Sequence, residues 1–329
     1  MEYVACNLCG SRNSEVLYPG TVPEGLTTGD IKHWRCTSAG YGQHHTIVKC
    51  RDCGLVYVNP HRKASAILHN YEEVVDDLYV EEREGRVLTF QRHLRPLEEL
   101  MPPAPGRRLL DVGCHIGVFL EIAQERGWEA WGIEPSHWAA REAQSRGLQV
   151  IEGTLGDAHL AEESFDVITL WDVIEHLTDP LRELKESHRI LRKGGLICIH
   201  TMNIESPLAR LMGSRWPWLM EMHLYYFSPR TLGEMLRKAG FTVVKMVNQR
   251  RFLRLGYLAT RIAPYSSLIA SGMSKLVTAF GLKDKAVPIN LGDLFTAFAR
   301  KDQVPPLDLT RRLVRAKHDR HRCDGERSE

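Results

Sequence analysis

No stretch of this 329-residue chain is apolar for long enough to span a bilayer, so the first expectation is a soluble protein. One-sided charge is missing too. Lys and Arg number 43 against 41 Asp and Glu, a formal net charge of +2, so the chain as a whole lacks the basic excess that draws proteins onto nucleic acid. There is no internal repeat, which argues against a solenoid or propeller. No charged-plus-apolar leader follows Met1, so secretion is not expected. The eight cysteines include isolated ones, Cys114, Cys198 and Cys323, which suits a reducing cytoplasm better than a disulfide framework. The length leaves room for a core of about 150 residues with appendages.

What is present centres on Leu109-Leu110-Asp111-Val112-Gly113-Cys114-His115-Ile116-Gly117. Leu109 to Val112 read as a buried strand, Gly113 and Gly117 as a tight turn against a ligand, and Val118 to Arg126 as the helix that follows. Glu134 ends the next apolar run, where its carboxylate would accept both hydroxyls of a ribose. Nicotinamide and flavin dinucleotides ask for G-x-G-x-x-G, whereas the string here is G-C-H-I-G.

The Asp111-x-Gly113-Cys114-x-x-Gly117 pattern resembles motif I of class I S-adenosylmethionine-dependent methyltransferases. Ser164 to His176 resembles that family's fourth strand and the Glu-His pair after it. Lys193-Gly194-Gly195 and the strand Leu196 to Thr201 resemble its glycine turn and fifth strand. Phe227-Ser228-Pro229, the helix Thr231 to Ala239 and the run to Val247 resemble its closing helix and sixth strand. The resemblance implies an α/β fold, a Rossmann-like seven-stranded methyltransferase sheet whose last strand, Asn290 to Lys301, is antiparallel. It implies S-adenosyl-L-methionine held by Asp111, Gly113, Cys114, His115, Gly117, Glu134, Pro135, Thr154, Leu155 and Trp171, with Tyr79 from the preceding segment. His115 stands where the family usually has a small residue, and is expected to tune the loop.

Before this core, Cys6-Asn7-Leu8-Cys9-Gly10 and Cys50-Arg51-Asp52-Cys53-Gly54 form two C-x-x-C-G knuckles. Two thiolates from each suit one structural Zn2+ on Cys6, Cys9, Cys50 and Cys53, with no open coordination position. Cys36, His33, His44 and His45 between them are spare residues able to substitute for a ligand, but read first as surface loop residues. Zinc ribbons also bind RNA, and an RNA-modifying methyltransferase is one alternative function. Residues 1–60 nevertheless hold five Lys or Arg and five Asp or Glu, which argues against a nucleic-acid partner. Trp34, Tyr41 and Tyr57 read as the module's small core.

These signals divide the chain into a zinc ribbon (1–60), a helical lead-in over the cofactor (61–105), the cofactor-binding core (106–249), a basic amphipathic insertion (250–287), the last core strand (288–302) and a basic flexible tail (303–329). Within the lead-in, residues 63–100 read as one helix, and Tyr71 and Tyr79 are candidates to contact the cofactor. The stretch Asn203 to Phe227, with Trp216, Trp218, Met220, Met222, His223, Tyr225 and Tyr226, reads as the wall of an acceptor site. Residues 250–285 carry seven Lys or Arg against Asp284 alone, among many apolar residues. This predicts either peripheral contact with the inner face of a membrane or a helical cover packed on the core or on a dimer partner.

The ribbon, lead-in, core and H-x-x-x-F-S-P segment from His223 to Pro229 together resemble bacterial methyltransferases of sugar and cell-surface polysaccharide pathways. Some deoxysugar C-methyltransferases share the plan but carry a large further domain. O-methylation of a sugar or glycan-pathway small molecule is therefore expected. Such chemistry needs a group to take the acceptor's hydroxyl proton. His223 is the first candidate and His176 the second, with His200 behind them. A non-catalytic cofactor-binding protein is the other alternative.

Overall fold

The computed structural model describes residues 1–22 and 31–302; the basic tail lies outside the described residues. The N-terminal part supplies strands β1 (Ser14–Tyr18), β2 (Ile47–Cys50) and β3 (Val56–Val58). Helices α1 (Ala64–Glu72), α2 (Asp77–Glu81) and α3 (Arg83–Leu100) follow, where the sequence read as one helix. The break has a local cause. Asp76 is the N-cap of α2, its carboxylate accepting from the Tyr79 amide at 3.3 Å, so the chain restarts there instead of continuing from α1.

The core runs β4 (Arg108–Val112), α4 (Val118–Glu125), β5 (Glu129–Glu134), α5 (His137–Ser145), β6 (Gln149–Glu152), β7 (Phe165–Trp171), α6 (Pro180–Ile190) and β8 (Leu191–Met202). It continues through α7 (Pro207–Met212), β9 (Tyr225–Tyr226), α8 (Pro229–Lys238) and β10 (Phe241–Asn248). Strand β11 (Arg251–Arg254), helices α9 (Leu255–Ile262) and α10 (Ser267–Ala279), and strand β12 (Ala286–Ile289) precede the last core strand, β13 (Leu294–Lys301).

Seven strands form one sheet in the order β10-β13-β8-β7-β4-β5-β6. β13 pairs antiparallel with both its neighbours and the other adjacent pairs are parallel, as the sequence predicts. Both faces of the central strands are covered. Leu109, Val167 and Cys198 pack towards α3 and α4, while Leu110, Ile168 and Ile199 pack with Leu184 of α6 and Leu232 of α8. Burial on both faces explains why β7 and β8 read as continuous apolar runs. The strand order reverses between β4 and β7, and it is at the carboxyl ends of strands flanking such a reversal that α/β sheets form their ligand crevice. β8 already begins at Leu191, so Lys193 to Gly195 lies inside its irregular start and not ahead of it.

The cysteine-bearing module is not a free-standing domain. Its sheet has the order β1-β2-β3-β9, and β9 belongs to the segment read as the acceptor wall, with Val56 opposite Tyr226 and Tyr57 opposite Tyr225. Asn7 adds a second seam by donating to Asp179 at 2.8 Å and accepting from the Leu181 amide at 2.9 Å, at the start of α6.

Candidate functional site

At the carboxyl ends of β4 and β5 two carboxyl groups are buried. Asp111 accepts from Thr169 Oγ1 at 2.6 Å, and burial pushes its carboxyl up to about 8. Glu134 accepts from the His115 amide at 2.7 Å and the Ser136 amide at 2.9 Å. Burial still pushes it up to about 7 against those bonds. Gly113 and Gly117 have φ of +72° and +80°. A Cβ at Gly113 would meet Val173 Cγ2 at 2.6 Å, and one at Gly117 would meet Leu148 Cδ1 at 2.2 Å. Both glycines are thus required by packing within the protein, beyond the approach to a ligand that the sequence suggested.

His115 adopts φ +50° between them. Its ring lies flat against Tyr79, centroids 3.7 Å apart, with the edge of Trp138 at 5.7 Å and the Arg86 guanidinium 3.4 Å above the other face of Tyr79. Both ring nitrogens of His115 are buried without a partner. Burial and Arg86 hold it well below the usual histidine range. Cys36 also reaches this place. Its sulfur, an Asp76 carboxylate oxygen and a His115 ring nitrogen lie within 4.8 Å of one another.

The other residues expected around a cofactor are spread more widely. Cys114 is buried, with its sulfur facing Gly132. Leu155 is buried in the core cluster that holds Ile133 and Val74, and Thr154 donates to Asp157 at 2.5 Å. Pro135 is half-buried between Glu134 and Ser136. Trp171 packs against Phe119, Phe90 and His93 on the α3–α4 face of the sheet, with its Nε1 unpaired.

On the other side of the crevice, Glu175 and His176 follow β7 and meet His223 from the wall segment. The two imidazole centroids are 4.8 Å apart. His176 Nδ1 lies 3.0 Å from Met222 O and 2.8 Å from Tyr71 Oη, and His223 Nδ1 lies 2.7 Å from Trp218 O. A carbonyl can only accept, so each Nδ1 carries the proton and each Nε2 keeps its lone pair. Burial lowers His176 to about 4 and His223 to about 3, and raises Glu175 to about 8. His200 is set apart, bonded through Nδ1 to Thr296 Oγ1 at 2.9 Å and 99% buried. The wall is anchored by Asp293, which accepts from the indoles of Trp216 at 3.3 Å and Trp218 at 2.9 Å.

The N-terminal module and the insertion close over this region. Trp34 meets Tyr71 edge to face at 5.1 Å, Thr37 is bonded to Asp76, and Arg261 of α9 donates to Ser38 O at 2.6 Å and to Thr37 O. His44 and His45 are buried, not surface residues as expected. His33 and His45 face the buried Glu221 at 3.6 and 3.9 Å, and Arg62 pairs with it at 2.7 Å, so a buried acid organises this loop. The sequence carries no periodic signal that links Glu221 to residues so far away. The cysteine sulfurs of the two knuckles converge, Cys6 on Cys53 at 3.4 Å and Cys9 on Cys50 at 3.5 Å.

The family model for a methyltransferase domain matches residues 79–246, half of the chain. The chain belongs to that methyltransferase family. The matched stretch of this methyltransferase-family chain includes Tyr79, the glycine turn, Glu134, the Glu175-His176 pair and His223. Among curated relatives it is similar to the ubiquinone biosynthesis O-methyltransferase of Cereibacter sphaeroides (strain ATCC 17025), 32% identical over 161 residues. That match covers 44% of this chain and 65% of the relative, so the chain spans less than two thirds of the relative's length. The protein of the same name from Ruegeria pomeroyi is 33% identical over 156 residues, covering 43% and 62%. A solved methyltransferase of Thermotoga maritima, titled a possible histamine N-methyltransferase, is 23% identical with a TM-score of 0.47, covering 69% of this chain and 94% of that one.

Proposed function

We propose that this protein is an S-adenosylmethionine-dependent methyltransferase that methylates a hydroxyl group on a small ring-shaped acceptor. One observation carries the reading. The crevice at the strand ends has a buried ribose-type acid on one side and, on the other, two imidazoles that each donate Nδ1–H to a main-chain carbonyl and that burial keeps neutral. The orphaned nitrogens of His115 and the Asp111 and Glu134 carboxyls are a donor and acceptor set that fits the cofactor's polar atoms. When bound, the cofactor supplies a methyl group on a positive sulfur. The chain's own work is to hold the acceptor in line, exclude water and take its proton. His223 Nε2 takes that proton in the metal-free protein, with His176 beside it.

The acceptor is a hydroxylated sugar of a glycan pathway in the first reading, which the half-buried Trp218 beside His223 supports. A quinol-type ring is the second, favoured by the names of the two relatives. Incubating the purified chain with methyl-labelled cofactor and cell extract, then identifying the labelled product, decides between them. An absence of any labelled product across extracts would favour a non-catalytic cofactor-binding role.

The four knuckle cysteines are proposed to hold one structural Zn2+. Their sulfurs lie within 4.8 Å of one another, and the Gly10 and Gly54 amides turn back onto Cys6 O and Cys50 O at 2.7 and 2.9 Å. The module then braces the acceptor site and not RNA, since Trp34 and Tyr57 are buried and cannot stack on bases. Peripheral membrane contact through residues 250–285 is also proposed. The stem β11–β12 pairs with itself and packs on α3, yet Leu268, Ile269, Leu276 and Phe280 of the α10 segment stay exposed beside Lys275. Among the described residues no helix is long and apolar enough to cross a membrane.

A further inference from the structure

Glu175, His176 and His223 come together with a second arrangement that proton transfer does not require. One ring nitrogen of each imidazole and a Glu175 carboxylate oxygen lie within 4.8 Å of one another. Each histidine commits Nδ1–H to a main-chain carbonyl, Met222 O at 3.0 Å and Trp218 O at 2.7 Å, and turns Nε2 away from it. Thr201 Oγ1 donates to Glu175 Oε2 at 3.0 Å and so orients the carboxylate.

Histidines that ligate metals are held in this way, with the distal N–H fixed on a carbonyl or carboxylate and the lone pair aimed at the ion. Two imidazoles and one carboxylate are ligands that borderline divalent ions accept while keeping positions open.

We infer that Glu175, His176 and His223 bind a divalent transition-metal ion at the acceptor side of the crevice. The consequence for the reaction rests on the methyltransferase reading. An acceptor hydroxyl entering an open position would bond its oxygen to the ion and release its proton to water, in place of handing it to His223.

The test is a Co2+ titration of metal-stripped, full-length protein. The knuckle thiolates give sulfur-to-cobalt charge-transfer absorption, and a nitrogen–oxygen site gives none. The expected result is a second equivalent of Co2+ per chain without that absorption. Its affinity should fall by about 100-fold or more in Glu175→Gln and in His176→Gln, while the thiolate-bound equivalent is retained. S-adenosylmethionine binding by each variant checks that the fold is intact. Wild-type protein that saturates at one thiolate-bound Co2+ overturns the inference whatever the variants do, as does a second equivalent that persists in both variants. Neither outcome touches the methyl-transfer reading, which fails instead if labelled cofactor yields no product.

Discussion

Arg251 Nη2 lies 2.8 and 2.9 Å from the two carboxylate oxygens of Asp172, a residue held at φ +55° directly after β7. The same guanidinium sits 4.9 Å over the ring of Trp218. One side chain of the insertion therefore ties the strand end that carries Glu175 and His176 to the wall that carries His223. The pair is partly exposed, so its own contribution to folding is small, below about 1 kcal/mol. Arg251→Ala should leave thermal stability nearly unchanged but speed amide hydrogen exchange across residues 171–176 and 216–223. Unaltered protection there would mean that the insertion merely covers the core.

Glu134→Ala removes the proposed ribose acceptor and should weaken S-adenosylmethionine binding by about 1.5–3 kcal/mol. pH gives an independent reading. Asp111, Glu134 and Glu175 are raised in the folded protein to about 8, 7 and 8, so the folded state holds more protons than the unfolded one above the ordinary carboxylate range. Their stabilising effect is complete below the unfolded values and is lost as pH rises through the folded ones. His176 and His223 are shifted down, and stability from their neutral forms grows with pH only up to about 6.5. Between pH 6.5 and 8 the carboxyls dominate. The melting temperature of ligand-free protein should fall across that window by calorimetry, and less steeply in Glu134→Gln. Cofactor affinity should rise over the same range as Glu134 ionises.

Cys50→Ser should lose the proposed zinc, which metal analysis would show. β3 shares a sheet with β9, and Thr37 is bonded to Asp76. Damage should therefore spread to the acceptor wall and α1–α2, seen as new proteolytic cuts in residues 60–80 and 203–227. Cuts confined to residues 1–58 would restore the picture of an independent ribbon.

His223→Asn should lower turnover by about 10²- to 10⁴-fold while cofactor affinity stays nearly constant. His200→Asn is the comparison, since His200 is bonded to Thr296 in the sheet and should act on stability instead. Near-normal turnover in His223→Asn, with loss in His176→Asn, would move the proton transfer to the Glu-His pair.

Binding to anionic vesicles through the α10 face should be measurable by sedimentation at low salt. Each free basic residue near the surface contributes about 1 kcal/mol, and the effect fades as ionic strength rises. Leu268→Asp with Phe280→Asp should abolish it. Vesicles that leave wild-type protein in solution at low salt would remove the membrane from the account.

The parallel core was legible because its information is local. Asp111 to Gly117, Glu134 and the Glu175-His176 pair each sit at a strand end, and strand, glycine turn and helix start are written within a few residues. The two C-x-x-C-G knuckles are legible for the same reason, since the turn that presents two sulfurs lies inside each motif. The rest depended on contacts between distant residues. Asp76 splits the lead-in, and its carboxylate serves Thr37 as well as Tyr79. Glu221 gathers His33 and His45 from a loop that sequence placed at the surface, and Arg62 from the start of the lead-in. β9 joins the cysteine module to the acceptor wall by main-chain pairing that side-chain pattern does not specify. The tautomers of His176 and His223 were also set from afar, by carbonyls of Met222 and Trp218 that only the folded wall brings to them. Residue order determined which groups this protein has available for chemistry, and burial in the closed crevice decided their protonation, because removing water raises the cost of charge on each of them.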